Sequence, residues 1–253
     1  MIVLIAGMPR AGSMWTYNIT RAIFETRGWT VLPTEVPVDE SEILKKAFLS
    51  KPNTNEVYCI KTHIMLRKPL PANHELKIIN NVRDVRDACL SFMRFTHADF
   101  EAGLSAVPGM MDSTEYYLQA FRTQALGVRF EDVLNNPTKV LEDVGNFLNL
   151  KLSENESREI IQKFDKSNFQ KNLQALPKAE ANSPTMHSGQ QSKYHSVKNF
   201  DGSLRTMSKA TGFQSNHITS KAEGEWRSYF DSDQQEKLNK LSGTWLKRFG
   251  YEV

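Results

Sequence analysis

The chain has 253 residues, 40% hydrophobic and 24% charged, ordinary proportions for a globular protein and enough length for one large α/β domain or two small ones. A net charge of +3 excludes bulk electrostatic attraction to nucleic acid or to a membrane surface, and no stretch has the apolar length of a membrane span. Cys59 and Cys89 lie in apolar contexts without metal-ligand spacing, which predicts reduced, buried thiols, a cytoplasmic protein and no metal site.

Residues 2–6 form an apolar run with no basic leader, cut short by Gly7 and Pro9, so they read as a buried strand and not a signal peptide. Gly7-Met8-Pro9-Arg10-Ala11-Gly12-Ser13-Met14-Trp15 follows, then a helical face made by Trp15, Ile19, Ala22, Ile23 and Thr26, with Gly28 as the stop. A strand, a tight glycine loop and a helix aim backbone N–H groups and a helix N-terminus at one point, where an anion is favoured. Arg10 adds positive charge and Ser13 a hydroxyl, so a phosphate or sulfate is the expected guest. The loop is P-loop-like without being a Walker A sequence, because no Gly-Lys-Ser/Thr closes it.

Residues 29–32 are predicted as a second strand ending at Pro33, and the acidic 35–42 region as a loop feeding a helix over 43–49. A third strand, 57–60, ends at Lys61-Thr62-His63. A basic loop with Arg67, Lys68, Pro69 and Pro71 leads to a fourth strand, 76–82, after which Asp84 caps a helix running to Phe95. The 96–112 stretch, with Gly103, Pro108 and Gly109, is predicted as an irregular insertion or lid, and Asp112-Ser113 as the cap of a helix through Tyr116, Tyr117 and Phe121. A fifth strand is expected over 127–130. Asn136-Pro137 opens a further helix, and Ser153 with Glu156 forms a capping-box spacing for the next. Over 179–217 apolar periodicity fails, which marks a functional or disordered segment. Ser232 to Gln235 is a second capping-box spacing, ahead of a last helix with Leu238, Leu241, Trp245 and Phe249. Alternating strands and helices predict an α/β fold: a single domain over 1–253, a central parallel sheet flanked by helices, and lid or acceptor loops around 93–111 and 179–217.

In a parallel sheet the strand ends share one edge, so Arg10 to Trp15, Lys61-Thr62-His63 and Arg83 with Ser91 are expected to converge. Singly each has an ordinary explanation: a surface histidine, a solvated Arg83-Asp84 helix start, a plain helix serine. Their combination at one edge points to a site.

These motifs resemble those of the sulfotransferases that use 3′-phosphoadenosine 5′-phosphosulfate (PAPS). Pro9-Arg10-Ala11-Gly12-Ser13-Met14-Trp15 is similar to their Pro-Lys-Ser-Gly-Thr-Thr-Trp loop, and Lys61-Thr62-His63 to their Lys-Thr-His. Arg83 and Ser91, eight residues apart, resemble their 3′-phosphate pair. Weaker likenesses are Phe130-Glu131-Asp132, Ser167-Asn168-Phe169 and Gly224-Glu225-Trp226-Arg227, so the resemblance runs from residue 2 to about residue 230. It implies a sulfotransferase fold and transfer of a sulfuryl group from PAPS to an acceptor oxygen or nitrogen, without a metal. His63 would be the general base, with Lys61 and Arg10 neutralising developing charge. Arg10, Ala11, Gly12, Ser13 and Met14 would hold the 5′-phosphosulfate, Arg83 and Ser91 the 3′-phosphate, Trp15 and Phe169 the adenine faces, with Phe130, Ser167 and Gly224 beside the nucleotide. The chain departs from the pattern in having Arg10 for Lys, Met14 for a hydroxyl residue, Phe130 for Tyr, and Thr219-Ser220-Lys221 where relatives have Arg-Lys-Gly; Lys221 is the expected substitute.

Polar loops carrying Glu35, Asp39, Asp99, Glu101 and Asp112 suggest a polar or cationic small-molecule acceptor, the alternative being that these acids are plain solvated loop charges. Tailoring enzymes that sulfate natural-product alkaloids look like relatives. A monomer or homodimer is expected, with neither nucleic acid nor membrane as partner. Two other readings stay open on the sequence: a nucleotide-dependent phosphoryl-transfer enzyme, and a non-catalytic nucleotide-binding protein.

Overall fold

β1, Ile2–Gly7, is buried along its whole length, and its unbroken apolar run suits a strand covered on both faces. A computed structural model of the chain describes residues 1–50, 53–66, 75–165, 167–168, 171, 174, 176, 193–199, 201–215 and 223–253. Four more parallel strands complete the sheet: β2 (Thr30–Leu32), β3 (Glu56–Lys61), β4 (Leu76–Val82) and β5 (Ala125–Arg129), in the order β2-β3-β1-β4-β5. The chain builds to one side of β1 and then to the other, so strand order reverses at β1, where sheets of this class open their binding crevice. Ile5 lies beside Lys61 and Gly7 beside Asn81, so the loops after β1, β3 and β4 leave the sheet along one edge.

The described helices are α1 (Ser13–Thr26), α2 (Glu40–Leu49), α3 (Val85–Thr96), α4 (Phe100–Ala120), α5 (Phe130–Asn135), α6 (Pro137–Phe147), α7 (Glu154–Lys163), α8 (Trp226–Tyr229) and α9 (Ser232–Arg248). Alternate β1 side chains enter opposite layers. Val3 and Ile5 pack with Ile19 and Ile23 of α1 and Leu141 and Val144 of α6. Ile2, Leu4 and Ala6 pack with Leu44 and Ala47 of α2 and Tyr117 of α4. A third cluster joins Leu90 of α3, Val107 of α4, Trp226 of α8 and Leu246 of α9. The predicted parallel α/β sheet with helices on both faces is therefore present.

Three local expectations are corrected. Residues 96–112 are not irregular: α4 runs unbroken from Phe100 through Pro108, and its cap is Asp99, whose side chain accepts from Ala102 N–H, instead of Asp112. Gly103 fits tightly against Met93 and Cys89, and Val107 and Met110 are buried, so packing outweighs the local cost of glycine and proline. The last helix is capped one residue earlier than read, by a complete capping box of Asp231 and Gln234. Within the polar 179–217 segment, β6 (Tyr194–Lys198) and β7 (Leu204–Ser208) form an antiparallel hairpin. It is tied to the body of the fold by Asn18 Nδ2 donating to the Thr211 carbonyl (3.0 Å) and by Val36 N–H donating to the Lys209 carbonyl (2.6 Å). Residues 179–192, 200 and 216–217 of that segment, and the 67–74 part of the basic loop, lie outside the described residues.

Candidate active site

The loop between β1 and α1 is shaped by two glycines at positive φ, where any side chain would be strained. Gly7 has φ of 97°, and a Cβ there would meet Asn80 Oδ1 at 2.0 Å and the Asn81 carbonyl at 2.7 Å. Gly12, with φ of 81°, is the N-cap of α1 and has the Phe130 ring 2.9 Å from where a Cβ would stand. With no capping side chain, the first-turn N–H groups at Ser13 and Met14 are available to an external acceptor, the arrangement that suits an anion. Ala11 is fully buried below the loop, and Met14 turns its side chain into the core.

Arg10 sits at the crest in the left-handed region, φ 67°. Its guanidinium carbon lies 4.1 Å from the centroid of the Phe95 ring, and its Nε donates to Ser91 Oγ at 3.1 Å. Burial first, then Arg83 and Arg205, pull its pKa down to about 9, so the group stays charged at neutral pH but in surroundings that favour a counter-anion.

Lys61 ends β3 and His63 follows two residues later. His63 Nδ1 is 3.0 Å from the Gly7 carbonyl, which can only accept, so the ring proton is on Nδ1. Nε2 therefore carries the lone pair, and Lys61 Nζ donates to it at 3.1 Å. Burial, the charge of Lys61 and that of Arg10 push the His63 pKa down to about 3, against the upward pull of the Gly7 bond. Burial also lowers the pKa of Lys61. The result is a neutral imidazole with a fixed tautomer, whose basic nitrogen meets Lys61 and feels the charge of Arg10. Both residues keep part of their surface open to solvent. Behind them Glu40 of α2 accepts from Thr62 Oγ1 (3.3 Å) and His63 N–H (3.4 Å), and the Tyr117 hydroxyl of α4 donates to the Ile64 carbonyl.

Arg83, 2% exposed, follows β4 with its guanidinium 4.2 Å from the Phe130 ring centroid, and Nη1 donates to the Arg10 carbonyl at 3.1 Å. Burial lowers its pKa while Asp87, Glu131 and Asp84 oppose that shift. Asp87 also accepts from Gly224 N–H (2.7 Å) and Trp226 N–H (3.0 Å), docking the Gly224 segment on α3 next to Arg83. The Arg86 guanidinium lies over the Trp226 ring at 3.9 Å and closes the same joint.

The predicted residues Arg10, Ala11, Gly12, Ser13, Met14, Lys61, His63, Arg83, Ser91, Phe130 and Gly224 thus gather around one sheet edge. Trp15 Nε1 donates to the Phe164 carbonyl (3.1 Å), which fastens the start of α1 to the end of α7. Ser167, three residues on, has its hydroxyl bonded to Asp165 Oδ1 (2.7 Å). No described contact joins Ser167 to the edge, and Phe169 and Lys221 lie outside the described residues.

Two participants carry no sequence signal. Arg205 of β7 reaches the Phe95 ring, 4.4 Å from its centroid. Glu40, which the sequence places in the acidic loop and the structure at the start of α2, lines a cavity of about 70 Å³ with Lys61, Tyr17, Val36, Met207 and Gln214. Four of the five acids named for the acceptor loops have structural partners. Asp39 and Asp99 are helix caps, Glu35 pairs with Lys209 and Glu101 with Lys237.

The family model described as a sulfotransferase domain matches residues 2–200. Among solved structures, retinol dehydratase in complex with androsterone and inactive cofactor PAP aligns with a TM-score of 0.62 at 17% identity, over 100% of this chain and 82% of that one. Mouse sulfotransferase SULT7A1 complexed with PAP aligns with a TM-score of 0.62 at 16% identity, over 97% of this chain and 83% of its own. At such identities the likeness speaks for a shared fold. No curated protein matches the sequence.

Proposed function

The chain belongs to the sulfotransferase domain family, and from that premise we propose that it moves a sulfuryl group from PAPS to a hydroxyl or amine of a small acceptor, releasing adenosine 3′,5′-bisphosphate. The observation that carries this reading is the bond from His63 Nδ1 to the Gly7 carbonyl, which leaves Nε2 as a base beside the anion loop.

In the reaction the acceptor oxygen or nitrogen bonds to sulfur, the bond from sulfur to the bridging oxygen breaks, and the acceptor's proton passes to His63 Nε2. The Gly7 carbonyl then stabilises the imidazolium. Lys61, which holds Nε2 in this structure, must release it. An anion at the loop gives Lys61 another partner, so PAPS binding would uncover the base. Arg10 and the Ser13 and Met14 N–H groups face the phosphosulfate, and Arg83 and Ser91 the 3′-phosphate. Because Arg10 keeps its proton, its part is electrostatic. Trp15, Phe130, Ser167, Phe169, Gly224 and Lys221 are assigned to the rest of the nucleotide.

The acceptor is proposed to be polar and compact. The Glu40 carboxylate supports a cationic group on it, and a natural-product alkaloid meets that description. We assign the protein to the cytoplasm, a reading supported by its two free, buried cysteines, and propose that it acts as a monomer or homodimer. Among the described residues no helix is long and apolar enough to cross a membrane.

Calorimetry with adenosine 3′,5′-bisphosphate and ATP tests the donor: the bisphosphate is expected to bind more tightly, and a preference for ATP would instead favour phosphoryl transfer. A screen of hydroxyl and amine acceptors with labelled PAPS and mass detection then identifies the product.

A further inference from the structure

Arg205 belongs to the β6–β7 hairpin and to no motif, yet it lies over the ring that also carries Arg10. Their guanidinium carbons are 4.4 and 4.1 Å from the Phe95 centroid, so they stand no farther apart than the sum of the two, about 8.5 Å. Arg205 is oriented by two neutral amides. Its Nε donates to Gln214 Oε1 at 2.5 Å and its Nη1 to Asn199 Oδ1. Amides fix the direction of the planar fork without cancelling its charge. Among the described residues no carboxylate pairs with Arg205, and its remaining donors have no partner there. The hairpin thus brings a second guanidinium to the ring that carries Arg10, and Arg83 bonds to the Arg10 carbonyl. The charges of Arg83 and Arg205 both disfavour that of Arg10, a mutual repulsion that an anion would relieve.

We propose that Arg205 is an anion-binding residue of the donor site, delivering a third guanidinium from the hairpin to a phosphate or sulfuryl group of PAPS. The proposal rests on the PAPS reading above and deepens it. It also links the two substrates, because Gln214, which aims Arg205, and Met207, two residues along β7, both line the acceptor cavity. A donor anion that fixes Arg205 therefore also fixes a wall of the acceptor site.

The test is calorimetry on the intact wild-type, Arg205→Gln and Arg205→Lys proteins with adenosine 3′,5′-bisphosphate and with adenosine 5′-phosphosulfate. Loss of one charged hydrogen bond predicts that Arg205→Gln weakens at least one ligand about 10- to 100-fold, with Arg205→Lys recovering most of the loss and the salt dependence of binding falling in the Gln variant. Weakening confined to the bisphosphate assigns Arg205 to the 3′-phosphate; weakening confined to the phosphosulfate assigns it to the sulfuryl end. Both affinities within about twofold of wild type overturn the proposal. Wild-type protein that binds neither ligand removes the PAPS reading itself, and Arg205's role with it. Should Arg205→Gln fail to fold, Asn199→Asp sets a carboxylate on Nη1 while keeping the side chain. It is expected to weaken the same ligand, and unchanged binding there overturns the proposal equally.

Discussion

Arg83 Nη1 donates to the backbone carbonyl of Arg10 at 3.1 Å, so the end of β4 holds the crest of the loop that follows β1. The crest needs holding, because Arg10 is a non-glycine residue at φ 67°. Arg83 is thereby both a structural clamp and a nearby positive charge. Arg83→Lys keeps the charge but loses the fork and much of its contact with Phe130. We expect it to bind adenosine 3′,5′-bisphosphate about 10- to 100-fold more weakly while losing much less affinity for adenosine 5′-phosphosulfate. Equal losses for the two ligands would remove the assignment of Arg83 to the 3′-phosphate.

His63 offers a cleaner separation of binding from chemistry. Its Nδ1 is occupied by the Gly7 carbonyl and, among the described residues, its Nε2 by Lys61 alone. His63→Ala should therefore leave bisphosphate affinity within about twofold and lower kcat by roughly 10²- to 10⁴-fold, the usual contribution of a general base. Single-turnover measurement with bound PAPS decides it, and retained turnover would rule the imidazole out as the base.

The same ring makes stability depend on pH with a definite sign. The folded-state pKa of His63 is about 3, well below the ordinary histidine value, because burial and Lys61 disfavour the charged ring. The unfolded chain thus takes up a proton below about pH 6.5 that the folded protein refuses. His63's contribution is complete above that pH and is lost as pH falls towards 3. The slope is of order 1 kcal/mol per pH unit at most, less whatever solvent screening the partly exposed ring receives. Urea unfolding of wild type and His63→Gln at pH 7, 6 and 5 should show the wild type losing stability faster. Parallel losses would mean that the ring titrates normally in the fold.

Features set by neighbouring residues were legible in the chain, and features set by packing were not. β4 occupies Leu76–Val82 as its pattern requires, Asp84 caps α3 through Arg86 N–H, and Ser153 with Glu156 completes the capping box of α7. Arg10, Lys61, His63 and Arg83 could be found because each sits at a strand end, and strand ends in a parallel sheet share an edge. α4 was obscured because Gly103, Pro108 and Gly109 break helices locally, and only the distant Met93 and Cys89 show why a glycine is wanted at 103. The hairpin was obscured because short, half-exposed strands alternate weakly. With it went Arg205, whose nearness to Arg10 depends on a contact between residues 110 positions apart in the chain at Phe95 and Arg205.

The loop's dependence on Gly7 can be tested directly. A Cβ at that position would stand 2.0 Å from Asn80 Oδ1 and 2.7 Å from the Asn81 carbonyl, at a φ of 97° that side chains rarely adopt. Asn80 cannot readily move, since its Nδ2 donates to the Thr114 carbonyl at 2.8 Å. Gly7→Ala is expected to cost about 3 kcal/mol or more, the range for combined backbone strain and overpacking, and to displace the carbonyl that sets the His63 tautomer. A thermal midpoint equal to wild type would show that the loop relaxes around the methyl group.

Glu40 makes the acceptor accessible to experiment before its identity is known. Its carboxylate accepts from Thr62 Oγ1 and the His63 N–H and lines a cavity with Lys61, the proposed place of the acceptor. Arg10, Arg83 and the first turn of α1 follow β1 and β4, and of the charged donor-side groups among the described residues only Lys61 shares Glu40's cavity. Neutralising Glu40 should therefore change acceptor choice far more than nucleotide affinity. For Glu40→Gln we expect bisphosphate affinity within about twofold of wild type. For an amine- or guanidinium-bearing acceptor found in the screen, the KM should rise about tenfold, the loss of one partly solvated charge contact. A neutral hydroxyl acceptor of the same size should show little change, since it offers no charge for Glu40 to meet. If cationic and neutral acceptors suffer alike, Glu40 holds the His63 backbone in place and does not read the acceptor's charge.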